Sequence, residues 1–80
     1  MAETVKVRQT LDCTGLLCPL PIIKVSKAIK GIQVGEVLEM LATDPGSVRD
    51  MEAFQSQTGH ELLASEQQGT VYRFLLKRTK

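Results

Sequence analysis

Val5, Val7 and Leu11 alternate with Lys6, Arg8, Thr10 and Asp12, the period of two that marks a strand with one solvated face. Gly15 ends that strand. Cys18-Pro19-Leu20-Pro21 opens a helix predicted to run to about Lys30 and to close at Gly31, because proline is tolerated in a first turn, where its missing N–H would have no intrahelical partner. At about 100° per residue, Ile22, Val25 and Ile29 share one stripe while Lys24 and Lys27 lie opposite, so one face of this helix is expected to be buried. Val37 to Ala42 reads as a second strand. Asp44-Pro45 predicts a second helix, with Asp as N-cap and Pro at the first helical position, running to about Thr58 and ended by Gly59. Glu61–Glu66 and Thr70–Lys77 flank Gln67-Gln68-Gly69 as an antiparallel hairpin, the last strand alternating Tyr72, Phe74 and Leu76 against Arg73 and Lys77.

The element order is therefore β-α-β-α-β-β. Strands one and four both carry a polar face, which implies helices on one side of the sheet only, and right-handed crossovers put both helices there. The expected fold class is α/β: a two-layer sandwich with a four-stranded mixed sheet and two helices on one face. Residues 1–80 read as a single domain without repeat, linker or low-complexity segment. A chain of this length buries only somewhat more than roughly 60% of its unfolded surface, too little for elaborate catalytic machinery.

Composition narrows the chemistry. A formal charge of +1 and three aromatics argue against tight nucleic-acid binding, which favours a pI above about 9 and aromatic platforms for bases. Lys24, Lys27, Lys30, Lys77, Arg78 and Lys80 are expected to be a solvated positive surface. No run approaches the roughly 18 apolar residues of a membrane span, and residues 1–6 lack the apolar stretch of a secretory leader. Two cysteines are fewer than the roughly four to eight of a secreted disulfide scaffold. The expectation is a cytoplasmic protein with no membrane partner, in a reducing compartment where a free thiol persists. His60 is the sole histidine, so neither a four-ligand metal site nor a cofactor is expected, and its place at a helix–strand junction suits a surface or capping role better than that of a base for Cys18. Asp44 is explained as an N-cap, although a partner docking over Cys18 would also meet Asp44 and Arg49 if both helix starts share one sheet edge.

Cys18 stands where the positive end of a helix dipole favours a thiolate over a thiol. Pro19 and Pro21 have no N–H, which leaves Leu20 as the only backbone donor in the first three helical positions, so the thiol is predicted to titrate modestly below about 8.5. Pro19, Leu20 and Pro21 together are the activating helix start. The prolines also stiffen the turn, and Gly15 lets the incoming loop bend, so that the sulfur is presented. Position alone is equally compatible with an ordinary small buried or capping cysteine, since free cysteine is among the most buried residue types. Leu20 falls about 200° from Cys18 on the helical wheel, beside Lys27 and opposite the buried stripe. It is therefore expected to be exposed and, with Leu16 or Leu17 from the loop, to form an apolar collar for partner docking.

Leu11-Asp12-Cys13-Thr14-Gly15-Leu16-Leu17-Cys18-Pro19-Leu20-Pro21 resembles the signature of the TusA family of sulfur carriers, a Cys-Pro-x-Pro motif after an Asp-x-x-Gly turn. The resemblance continues through Gly35-Glu36, Asp44-Pro45, Arg49-Asp50, Gly59-His60-Glu61-Leu62 and Tyr72-Arg73. It implies the same β-α-β-α-β-β fold. It also implies that Cys18, the matching position, accepts sulfur as a persulfide from a cysteine desulfurase or rhodanese. An acceptor protein, DsrE-like or similar, would then take the sulfur in transfer-RNA thiolation, cofactor sulfuration or sulfur oxidation, with turnover lying in the partners. Cys13 is an extra thiol, read as a small strand-end hydrophobe in preference to a resolving thiol that attacks the Cys18 persulfide. The alternative function is a redox-sensing or regulatory binding module on the same fold.

Overall fold

Strand β1 (Val7–Cys13) carries the alternating segment, and β2 (Val37–Ala42) occupies the residues predicted for it. They pair in parallel, with one register slip between Val7 and Gln9. β4 (Val71–Lys77) lies antiparallel against β2, and β3 (Glu61–Gln68) against β4, giving the mixed sheet order β1-β2-β4-β3. These positions come from a computed structural model that describes residues 6–80, so the predicted strand residue Val5 lies outside it.

Helix α1 (Leu20–Ala28) runs into a single 3₁₀ turn, Ile29–Gly31, and α2 spans Gly46–Thr58. Both connect successive strands across the same face. Val25, Ile29 and Met51 from the helices share one cluster with Leu38, Met40, Ala42, Phe74 and Leu76 from the sheet, and all are at least 98% buried. Phe74 and Leu76 face the helices as the alternation in β4 predicts. Leu75, pointing the other way, is also buried. On that uncovered face Glu39 accepts the Thr10 hydroxyl and the Arg73 guanidinium, and Arg73 reaches Glu66 at 3.1 Å. The Thr10 hydrogen bond and Arg73 hold the Glu39 carboxyl below the usual range.

Three expectations need correction. α1 starts at Leu20, after Pro19 with φ −100° and ψ 18°, so Cys18 precedes the helix. The buried stripe of α1 is headed by Pro21, with Ile22 only half-buried, because the later start turns the first residues relative to the sheet. The hairpin turn is Gly69-Thr70 rather than Gln67-Gln68-Gly69: Gln68 pairs with Val71, and Gly69 at φ +61° supplies the positive φ that two-residue hairpin turns demand.

The ends of the helices are tied by side chains. Arg78 donates to the carbonyls of Lys30 and Ile32, capping the exit from α1. Gly59 closes α2 in the left-handed region at φ +83°. Beside it, His60 accepts a hydrogen bond from the Thr79 backbone on Nδ1 and stacks on Phe54. Burial, then Arg78 and Lys80, keep its imidazole less basic than usual.

Candidate persulfide site

The loop between β1 and α1 is built from short-range hydrogen bonds. Asp12 accepts from both the amide and the hydroxyl of Thr14, an Asx-type turn that redirects the chain as β1 ends. Gly15 adopts φ +82° and donates its amide to the Thr43 hydroxyl at 2.9 Å. Leu16 donates to the Cys13 carbonyl, and Leu20 to the Leu17 carbonyl at 2.9 Å. Cys18 thus sits exposed near the tip of a loop whose backbone is fixed on both sides.

Asp44 fastens this loop to the start of α2. One carboxylate oxygen accepts from the Gly46 amide at 3.1 Å and the other from the Cys18 amide at 2.6 Å. The capping role predicted for Asp44 is therefore half of what it does. Gly46 lies beside the Cys18 Cβ: a Cβ at Gly46 would stand 3.7 Å from it, ordinary contact. One helical turn on, Asp50 shares the face of Gly46, and the Cys18 thiol donates to its Oδ2 at 2.8 Å.

That contact reverses the predicted activation. The Cys18 thiol is pushed up from its ordinary value, first by the hydrogen bond to Asp50, then by burial and by the charges of Asp50 and Asp44. Helix-start stabilisation fails on geometry as well. Cys18 lies two residues ahead of α1, and the Leu20 amide, the donor left by the prolines, is already used by Leu17. Pro19 is exposed and Pro21 is buried under the start of the helix, where it anchors the loop instead of activating the sulfur.

Of the predicted collar, Leu17 is 72% exposed and Leu20 48%, and Ile23 continues the strip along α1 at 44%. Leu16 is different, packing half-buried against the core. Lys27 lines a shallow groove between α1 and α2 together with Ile22, Ile23, Lys30 and Phe54. Cys13 is wholly buried among the core residues, its thiol pushed up by burial, so a resolving role would require the end of β1 to open. His60 lies at the far end of the 13-residue α2, about 20 Å of helix away from Gly46. Asp50 entered the sequence reading only as part of the Arg49-Asp50 resemblance, with no role at Cys18 assigned to it. The signal for it was the i, i+4 spacing from Gly46 at a helix start that topology brings to the same sheet edge as Cys18.

Residues 9–78 match the family described as Sulfurtransferase TusA. The chain belongs to the TusA family. It is 48% identical over 71 residues to the sulfur carrier protein TusA of Allochromatium vinosum, covering 89% of this chain and 93% of that protein. A putative sulfur carrier protein of Neisseria meningitidis is 60% identical over 62 residues, 76% of this chain and 84% of the relative. The longer putative sulfur carrier protein YrkF of Bacillus subtilis is 47% identical, with the match covering 91% of this chain and 40% of YrkF. Among solved structures, a SirA-like protein from Desulfitobacterium hafniense superposes with a TM-score of 0.77 over 90% of this chain and 99% of that one, at 22% identity, which speaks to the fold alone. Among the described residues no helix is long and apolar enough to cross a membrane.

Proposed function

We propose that this TusA-family chain carries sulfur as a persulfide on Cys18, taking it from a donor such as a cysteine desulfurase or rhodanese and passing it to an acceptor protein, DsrE-like or similar. The observation that carries this reading is the contrast in access: Cys18 is exposed on a braced loop, whereas Cys13 is buried. The relatives named as sulfur carrier proteins support the same role. The receiving pathway would be transfer-RNA thiolation, cofactor sulfuration or sulfur oxidation, in a reducing compartment such as the cytoplasm.

Loading is an exchange between sulfurs. The Cys18 thiolate attacks the outer sulfur of the donor persulfide, and the donor leaves as its own thiolate. Leu17, Leu20 and Ile23 suit docking of the donor protein, because they are exposed apolar side chains on the loop and helix that carry Cys18 and would help to exclude water from the exchanging sulfurs, while Lys27 orients the partner.

The test is the intact mass of the protein after exposure to inorganic polysulfide. Wild type and Cys13→Ser should gain sulfur that a reductant removes, and Cys18→Ser should gain none. Normal loading of Cys18→Ser would overturn the reading.

A further inference from the structure

Cys18 is ringed by acid. Its thiol points at Asp50 Oδ2, 2.8 Å away, and its amide at Asp44 Oδ2, both acids coming from the start of α2. From the other side, residues 14–20 of the loop contribute no titratable group besides Cys18 itself. Lys24, the first cation on α1, acts on Cys13, whereas the charges that act on Cys18 among the described residues are those of Asp50 and Asp44; the nearest cation in the chain, Arg49, is exposed beside Asp50. Asp50 accepts a hydrogen bond from the Cys18 thiol and thereby favours the thiol over the thiolate.

Building on the sulfur-carrier reading, we propose that Asp50 is the positioning residue that decides when Cys18 exchanges sulfur: alone, its carboxylate keeps the proton on Cys18, and a partner frees the sulfur by laying a cationic side chain on Asp50. In loading, Cys18 gives up its proton and forms an S–S bond to the outer sulfur of the donor persulfide. The donor's own S–S bond breaks, and the departing donor thiolate takes up a proton. One S–S bond replaces another, with no net oxidation. In unloading, an acceptor thiolate attacks the outer sulfur and Cys18 is the departing thiolate. Exchange needs thiolate on the attacking side and an acidic thiol on the leaving side. A carboxylate at hydrogen-bond distance opposes negative charge on Cys18 in both directions. The free carrier is therefore slow to be loaded by stray sulfur and slow to lose its cargo to small thiols, and one cation from a docked partner lifts both restraints.

The experiment follows alkylation of Cys18 by iodoacetamide against pH in wild type, Asp50→Asn and Asp44→Asn, each in a Cys13→Ser background so that one thiol reports. Wild type should titrate above about 8.5 and Asp50→Asn clearly lower, with Asp44→Asn moving less. For each pH unit that the midpoint falls, alkylation at pH 7 should rise about threefold, a tenfold gain in thiolate being offset in part by its weaker nucleophilicity. Asp50→Asn should also load faster from inorganic polysulfide and release its sulfur faster to dithiothreitol, yet gain nothing with a protein donor, whose cation has lost its target. A wild-type midpoint at or below about 8.5 overturns the proposal, and that measurement needs no variant to fold. An unmoved midpoint in folded Asp50→Asn overturns it as well, and an equal gain with both donors overturns the partner cation. Alkylation requires no cargo, so a shifted midpoint in a protein that never loads would sink the carrier reading while leaving the hold of Asp50 on the thiol intact.

Discussion

Cys13 at the end of β1 and Cys18 in the loop after it stand five positions apart, and both thiols are pushed up from the ordinary value, yet for causes of different kinds. Cys13 owes its shift to burial in the core, which lasts while the end of β1 stays closed. Cys18 owes it to a hydrogen bond from its exposed side chain to a carboxylate, which a docking surface can remove. An inert cysteine and a reactive one therefore need not differ in the direction of their pKa shift. They differ in access and in whether the restraint is reversible. For a carrier that must hold sulfur between partners and exchange it within them, a reversible restraint is the useful kind.

Stability should separate the two most strongly. Cys13→Ser puts a hydroxyl in the core and should destabilise the fold by about 1–3 kcal/mol, lowering Tm by several degrees, whereas Cys18→Ser should leave the melting curve in place. Equal melting of the two variants would break the contrast. Docking comes next: Leu17→Asn with Leu20→Asn should slow sulfur transfer from a donor protein by about tenfold, roughly the loss of one apolar anchor, while polysulfide loading stays within twofold. Neutral replacements are chosen because a further carboxylate beside Cys18 would itself suppress the thiolate. Equal losses with both donors would assign the leucines to the loop rather than to the partner.

A smaller effect is expected at Asp44. Asp44→Ala removes the acceptor for the Gly46 and Cys18 amides and should lower stability by about 1 kcal/mol, with faster hydrogen exchange at the Cys18 amide than at the core amide of Leu38. Unchanged exchange at Cys18 would mean that Asp44 does not brace the loop. The smallest effect is in pH dependence. Because burial raises the folded pKa of Cys13, its contribution is fully present below the unfolded thiol value of about 8.5 and is lost as pH rises from there toward the folded pKa. Urea titrations across that range should show wild type losing stability as pH increases. Cys13→Val should show a shallower loss, and the same slope in both would remove Cys13 as its source.

The sequence was most informative where structure is local. Val37–Ala42 is a strand because its residues alternate between core and open face, and Asp44 caps Gly46 because the two are neighbours in the chain. The start of α1 was misjudged by one residue: the tolerance of first-turn positions for proline did not reveal that Pro19 itself remains outside the helix. The sign of the Cys18 shift was lost for a different reason. It depends on Asp50, 32 positions away, and on an amide of Leu20 that an unforeseen turn had already engaged. Access was legible for Cys13, read as a strand-end hydrophobe and found buried, but for Cys18 position alone left a presented and a buried thiol equally open, because spacing along the chain does not say how the loop after β1 turns its side chains.

The claim that the carried sulfur rests on Cys18 is tested most directly by locating it in wild-type protein. After exposure to a persulfide-bearing cysteine desulfurase, fragment ions from the tryptic peptide 9–24, which contains both cysteines, distinguish sulfur added at Cys13 from sulfur added at Cys18. The added sulfur should appear only in fragments that contain Cys18 and should vanish on reduction. Fragments that place it on Cys13, or a peptide with no added sulfur from a competent donor, would contradict the account.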